Sequence, residues 1–173
     1  VSGFQVHIGK KVYSSGDLCD VLVAMNPASL KSNLKWDKKG ATIITDLDAY
    51  DEKAIEKSGY TSNPLEDNSL QGYNLIKAPI TTLTKDALKE LNLDSKTAEK
   101  SRNVFALGMM YFLFNWKQDI AFDFFAKKFK KKPELIESNK IALQAGYNYA
   151  ETVEAISVTY NVPAAELEKG RYR

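Results

Sequence analysis

Short apolar runs alternate with helical patterns along the first half of the chain. Val21–Met25 and Ala41–Thr45 are continuous apolar or β-branched runs, which are typical of strands buried on both faces of a sheet. Tyr73–Ile76, which contains the polar Asn74, is the third predicted strand. Between the strands lie a helix over Pro27–Leu34, with proline in its first turn, and a weaker helix over Asp51–Lys57. This alternation predicts a mostly parallel sheet with helices packed on it.

A different pattern precedes the first of these strands. Phe4–Ile8 alternates apolar and polar residues, and a turn containing Gly9 separates it from Lys11–Tyr13. Two short runs joined in this way are typical of a β-hairpin. We therefore expect a hairpin over Phe4–Tyr13 at an edge of the sheet, which would make the sheet mixed.

The second half of the chain has helical patterns. The spacing of apolar residues predicts a helix over Thr84–Leu91, with Thr84 as its N-cap. A long helix is predicted over Ser95–Phe114, and its later half is apolar on all sides, as in a buried helix. Two more helices are predicted over Gln118–Lys131 and Glu134–Glu151. The chain is thus predicted to be one α/β domain of three layers, α/β/α, with a helical C-terminal half.

Composition excludes several classes of protein. The 173 residues carry 24 Lys and Arg against 22 Asp and Glu, and a net charge of +2 gives no reason to expect nucleic acid or a membrane as partner. The longest apolar run, Val104–Phe114, is shorter than the roughly 20 residues of a membrane-spanning helix. One histidine, His7, and one cysteine, Cys19, cannot form a multi-ligand zinc site or supply the roughly four thiolates of an iron–sulfur cluster. We interpret Cys19 as a small core residue and His7 as a structural histidine.

Polar residues stand at the ends of the predicted strands. Asn26, Asp46 and Lys77 directly follow the three apolar runs. Because ligands of open α/β sheets bind beyond the carboxyl ends of the strands, these side chains are the candidate site. The alternative is that loops simply begin with polar residues. A second basic feature, Lys127–Lys132, is interpreted as a solvated helix end, with phosphate binding as its alternative.

Four segments follow one another in an order and spacing found in a known family. They are Val1–Val12, Asp20–Met25, Gly40–Asp46 and Arg102–Gly108. Together they resemble the gamma domain of 2-oxoacid:ferredoxin oxidoreductases, in the form fused to the alpha subunit of the enzymes that act on 2-oxoglutarate. The resemblance covers nearly the whole chain.

The resemblance implies a fold and an activity. The fold would be that of domain III of pyruvate:ferredoxin oxidoreductase. The reaction would convert 2-oxoglutarate, coenzyme A and oxidised ferredoxin into succinyl-CoA, carbon dioxide and reduced ferredoxin. In this family thiamine diphosphate with Mg²⁺ and the iron–sulfur cluster lie outside the gamma domain, so the isolated chain is expected to be inactive. The implied partners are the alpha domain in the same polypeptide, a beta subunit that binds thiamine and the cluster, and ferredoxin.

The resemblance also implies a part in accepting coenzyme A. Lys77 and Asn26 are then the expected contacts at the strand ends, because an ammonium group can pair with a phosphate and an amide can donate to it. Asn103 is added to them by the resemblance alone. No catalytic residue and no metal ligand is expected in this chain. The 2-oxoacid stays open between 2-oxoglutarate, pyruvate and branched-chain acids, because the residues that recognise it would lie in the alpha domain.

The resemblance finally implies that residues 1–173 form a single gamma domain. The family's domain opens with a strand and a Gly-rich turn that have no counterpart here, so we expect part of the sheet to be left for a partner to cover. Residues 163–173 would begin a linker to the alpha domain. A lone cysteine fits a reducing compartment, and a cytoplasmic location is expected. The alternative is a free-standing α/β module that binds a nucleotide or a protein.

Overall fold

The computed structural model of the chain describes residues 3–9, 12–14, 16, 18–153 and 160–163. These residues contain three strands and seven α-helices. The strands are β1 (Cys19–Ala24), β2 (Asp37–Asp46) and β3 (Asn74–Ala78). The helices are α1 (Pro27–Asn33), α2 (Glu52–Lys57), α3 (Ile80–Ala87), α4 (Ser95–Lys100), α5 (Arg102–Leu113), α6 (Asp119–Lys128) and α7 (Pro133–Thr152).

The three strands form one parallel sheet in the order β1-β2-β3. β2 is the central strand, and its residues from Ala41 to Asp46 are all buried, as the unbroken apolar and β-branched run predicts. Thr45 lies in register with Ala24 on one side and with Lys77 on the other. The strands therefore end at a common edge, and the predicted α/β fold is confirmed.

Helices cover both faces of the sheet. On one face, Ile44 packs in a core cluster with Phe105 and Met109 of α5. On the other face, Ile43 packs with Leu30 of α1 and with the long loop between α2 and β3. Neighbouring residues of β2 thus point into opposite clusters, because side chains alternate along a strand. This arrangement gives the three layers that the sequence predicts.

Two glycines bring the backbones of α5 and α7 into contact. A Cβ atom on Gly108 of α5 would overlap the carbonyl oxygen of Leu143 of α7. In return, a Cβ atom on Gly146 of α7 would overlap the carbonyl oxygen of Phe105 of α5. The two helices are therefore packed too closely for any side chain at these positions.

The predicted N-terminal hairpin is wrong for the described residues. None of the described residues between Phe4 and Tyr13 lies in a strand. The side chains of Phe4, Val6 and Tyr13 are largely exposed, so the alternating pattern has no sheet in the described residues to pack against. All strands of the described residues are consequently parallel.

Several helix boundaries also differ from the predictions. Thr84 is not an N-cap: α3 begins earlier, at Ile80, and the buried Thr84 hydroxyl donates to the carbonyl oxygen of Ile80 inside the helix. The long helix predicted over Ser95–Phe114 is divided at Ser101 into α4 and α5. The predicted helices over Gln118–Lys131 and Glu134–Glu151 are present as α6 and α7 with shifted ends.

Two further expectations concern the membrane and the chain's last residues. No helix in the described part of the chain combines the length and hydrophobicity needed to cross a membrane. The predicted linker, residues 163–173, lies outside the described residues except for Pro163.

The α5–α7 contact predicts the effect of one methyl group. Replacing Gly146 by alanine should lower the free energy of unfolding by about 1–3 kcal/mol, because the new Cβ forces two helix backbones apart. Intrinsic helix propensity works in the opposite direction and favours alanine by about 1 kcal/mol. Urea unfolding followed by circular dichroism measures the difference.

Glu137→Ala is the matched control on the same helix. Glu137 is exposed, so this variant should change the free energy of unfolding by less than about 0.5 kcal/mol. A Gly146→Ala protein as stable as the parent would show that α5 and α7 are not in backbone contact.

Candidate functional site

Asn26 lies between β1 and α1, and its side-chain oxygen caps the start of the helix. The Asn26 side-chain oxygen accepts a hydrogen bond of 2.8 Å from the Ser29 N–H, and the Asn26 N–H donates to the Ser29 hydroxyl at 3.2 Å. This reciprocal capping box, with Pro27 in the first turn, fixes the start of α1. The oxygen is thus occupied, while the side-chain NH₂ group donates to no described residue.

Asp46, at the end of β2, is wholly buried and supports α3. Its carboxylate accepts hydrogen bonds from the Thr81 hydroxyl at 2.6 Å and from the Thr81 N–H at 3.2 Å. Asp48 accepts from the Thr82 N–H at 2.7 Å. Two carboxylates thus satisfy N–H groups in the first turn of α3, where a negative charge is stabilised by the helix dipole. Asp46 is therefore a structural residue, and it does not belong to the candidate site that the sequence predicts.

Of the three predicted residues at the carboxyl ends of the strands, Lys77 is the exposed one. The Thr45 hydroxyl oxygen lies 2.6 Å from the Ala24 carbonyl oxygen and 2.8 Å from the Tyr50 hydroxyl. Since Thr45 has one proton to give, it donates to Ala24 and accepts from Tyr50. Burial raises the pKa of Tyr50 to about 12, so this donor stays protonated. Lys77, in register with Thr45, takes no part in that network and is exposed.

Asn26 and Lys77 share the same edge of the sheet. Their strands are separated by β2, and Asn26 lies two residues beyond Ala24, which is in register with Thr45 and Lys77. Strand spacing and rise then place the two backbones roughly 10–13 Å apart.

Asn103 is not brought to this pair by any contact in the described residues. It is exposed in the first turn of α5, the helix that covers the Ile44 face of the sheet. Lys77 belongs to the opposite face, because it stands two residues from Leu75, which packs with Ile43. The structure therefore separates Asn103 from the other two predicted residues.

The lysine run from Lys127 to Lys132 begins in the last turn of α6, as the sequence predicts. The ammonium group of Lys128 lies 5.2 Å from the ring centre of Phe124 and 5.6 Å from that of Phe129. Cations at a helix C-terminus are favoured by the helix dipole. These contacts support the interpretation of a solvated helix end.

Asp37 is a perturbed carboxyl group that sequence reasoning missed. It is 92% shielded from solvent, since 8% of its surface is exposed, and neither carboxylate oxygen has a hydrogen-bond partner among the described residues. Burial raises the pKa of Asp37 from 3.8 to about 6. A perturbed pKa often marks a functional site. However, Asp37 pairs with Cys19, five residues of β1 before Ala24, so it lies roughly 17 Å along the sheet from the strand ends that carry Lys77.

Cys19 lies opposite Asp37 and is a free thiol at the start of β1. Burial, followed by the charges of Asp37 and Asp20, raises the pKa of Cys19. The thiol therefore stays protonated at neutral pH and is a poor nucleophile, but Cys19 is half-buried and lies outside the core clusters, so it is not the core residue that the sequence predicts.

Comparisons with known proteins agree on one family. Residues 1–149 match the family model described as pyruvate ferredoxin/flavodoxin oxidoreductase. Over 174 residues the chain is 39% identical to the KorA subunit of 2-oxoglutarate oxidoreductase from Mycobacterium tuberculosis. That match covers 100% of this chain and 27% of the relative, so the chain spans about a quarter of the relative's length.

A solved structure shows the same fold. The chain resembles the 2-oxoglutarate:ferredoxin oxidoreductase from Magnetococcus marinus, which was solved with 2-oxoglutarate, coenzyme A and succinyl-CoA bound. The TM-score is 0.64 at 24% identity, over 89% of this chain and 23% of that one. At this level of identity the likeness concerns the fold.

The raised pKa of Asp37 leads us to predict an unusual pH dependence of stability. Between its ordinary pKa of 3.8 and its folded pKa of about 6, the folded chain holds more protons at this site than the unfolded chain. The free energy of unfolding should therefore fall as the pH rises through this window. Asp37→Asn should remove that fall and raise stability at pH 7 by about 1–2 kcal/mol.

Urea unfolding from pH 4 to pH 7 measures this effect. The control is Asp86→Asn, which changes an exposed carboxyl group and should leave the slope unaltered. A parental slope that persists in Asp37→Asn would assign the pH dependence to other groups.

Proposed function

This chain belongs to the pyruvate ferredoxin/flavodoxin oxidoreductase family, and we propose that it is the accessory gamma domain of a thiamine-dependent 2-oxoacid:ferredoxin oxidoreductase. The proposed reaction converts 2-oxoglutarate, coenzyme A and oxidised ferredoxin into succinyl-CoA, carbon dioxide and reduced ferredoxin in the cytoplasm. The observation that supports this substrate best is the 39% identity to KorA along the whole chain. Residues 1–173 would form one domain, with a linker beginning at residue 163.

The residues of this chain do not fit the redox centre of such an enzyme. An iron–sulfur cluster needs about four thiolates, and the sequence has one cysteine, Cys19. No group of three or more potential metal ligands exists in the described part of the chain. The resemblance implies that the cluster lies in a beta subunit and that thiamine diphosphate and Mg²⁺ lie between that subunit and an alpha domain in the same polypeptide. Ferredoxin would receive electrons from that cluster.

The proposed contribution of this chain is to bind coenzyme A at the carboxyl edge of the sheet. Lys77 is exposed, and in the described residues its ammonium group has no carboxylate partner, so it is available to a phosphate. The free NH₂ group of Asn26 can donate a hydrogen bond to the same ligand, since only its oxygen is used for capping. Asn103 remains part of the proposal through the resemblance alone. The role of these residues would be binding and orientation.

Lys77→Ala in the complete enzyme tests this assignment. Loss of a charge-assisted contact with a phosphate should raise the KM for coenzyme A about ten- to hundredfold. The KM for the 2-oxoacid should not change, because Lys77 would touch only coenzyme A. Steady-state kinetics with each substrate varied separately measures both constants.

Lys39→Ala is the matched control. Lys39 is also an exposed strand lysine, but it lies toward the opposite end of the sheet, so neither constant should change. An unchanged KM for coenzyme A in Lys77→Ala would contradict the proposal. A rise in the 2-oxoacid constant alone would instead indicate a disturbed domain interface.

A further inference from the structure

One exposed side of α6 carries both apolar and basic side chains. Ile120 and Phe124 stand one turn apart on this helix and are 70% and 53% exposed. Lys127 and Lys128 stand three and four residues beyond Phe124, so they lie on the same side of the helix, and they are exposed too. We call these four residues the α6 face. Its two apolar side chains belong to none of the core clusters of the described residues and are therefore available to a partner.

The lysines of this face belong to a run whose charge is not compensated. From Phe124 to Pro133 the sequence contains five lysines and no acidic residue, although the net charge of the whole chain is only +2. None of these lysines forms a salt bridge within the described part of the chain. The positive potential of the run therefore extends into solvent, where it attracts anionic partners.

The composition of the α6 face indicates the kind of interface that it can form. Lysine is depleted in protein–protein interfaces, and the interfaces between permanent subunits have an extensive apolar core. The α6 face has two exposed apolar side chains beside several lysines, which is too little apolar area for a permanent contact. Electron-transfer complexes bury small interfaces, and opposite charges speed their association. The face therefore fits a negatively charged protein that binds only briefly.

Ferredoxin fits this description best among the proteins proposed above as partners. The alpha domain and the beta subunit would be permanent parts of the enzyme, whereas ferredoxin must dock and leave in each catalytic cycle. Its charge follows from its cofactor, because an iron–sulfur cluster held by about four thiolates is anionic. The surface of a small protein around such a cluster is attracted by ammonium groups.

We propose that the α6 face is a docking surface for ferredoxin. The ammonium groups of Lys127 and Lys128 attract the anionic surface of ferredoxin, and Ile120 and Phe124 then make apolar contact with it. This inference rests on the proposed function, because it takes ferredoxin as the electron acceptor of the enzyme. The role of this chain is to bring the acceptor to the enzyme, and the electron comes from the cluster in the beta subunit.

Steady-state kinetics of the complete enzyme tests the proposal, with ferredoxin reduction followed by absorbance. In the double variant Lys127→Gln with Lys128→Gln, the KM for oxidised ferredoxin should rise at least about fivefold at an ionic strength of about 0.1 M, because two attractive charges are lost. The control, Lys96→Gln with Lys100→Gln, removes the same charge from two exposed lysines of α4 and should leave this constant unchanged. An unchanged constant in the first variant, or equal rises in both, would overturn the proposal.

The salt dependence separates the basic from the apolar contribution. At an ionic strength of about 1 M the lysine variant and the parent should have the same KM for ferredoxin, because salt screens the charges. Phe124→Ser should raise this constant about threefold at both ionic strengths, because it removes apolar contact area and no charge. A lysine effect that persists at high salt, or a normal constant in Phe124→Ser, would contradict the proposed surface.

The same measurements distinguish this inference from the proposed function. A complete enzyme that oxidises 2-oxoglutarate with an artificial acceptor but never reduces ferredoxin would refute both. Normal ferredoxin kinetics of the lysine variant, in an enzyme whose parent reduces ferredoxin, would refute only the docking surface. A rise in the KM for coenzyme A with an unchanged constant for ferredoxin would assign the lysines to a phosphate-bearing ligand, which would also overturn the inference.

Discussion

The close approach of α5 and α7 is the constraint on which most of the packing depends. Gly108 and Gly146 allow the two backbones to touch, and the joined helices then present Phe105 and Met109 to the sheet. On the other side, Leu143 of α7 holds α6 in a third core cluster. A wider spacing would open both clusters at once, so two residues without side chains support one complete layer of the fold.

The sequence predicts the layers better than their contacts. The apolar run from Ala41 to Thr45 identifies the central strand because a strand covered on both faces has no polar alternation. The division of the long helix at Ser101 has only a weak local signal, since serine is a common N-cap residue but neither proline nor glycine stands there. The hairpin prediction failed at Phe4–Tyr13 because an alternating pattern specifies a strand but not whether its partner is present.

The sequence also predicts the candidate site only in part, because it indicates where the strands end but not which side chains are already hydrogen-bonded. Asn26 and Lys77 lie on the same side of the sheet because the carboxyl ends of parallel strands are all on one side. Asp46 also stands at the end of its strand, but its carboxylate accepts hydrogen bonds from Thr81 in the first turn of α3. The sequence alone does not show these contacts. The raised pKa of Asp37 could not be predicted from the sequence, because it results from burial of the side chain and not from the residue type. The useful distinction at such an edge is between polar groups that are satisfied and those that are free.

The central claim, that this chain binds coenzyme A through Lys77, is tested most directly by chemical footprinting of the unmodified complete enzyme. Lysines are acetylated with and without desulfo-coenzyme A, a thiol-free analogue, and quantified by mass spectrometry. At an analogue concentration about ten times its dissociation constant, mass action predicts that acetylation of Lys77 slows about tenfold while Lys39 is unaffected. Equal acetylation of Lys77 in the presence and absence of the saturating analogue would contradict the account.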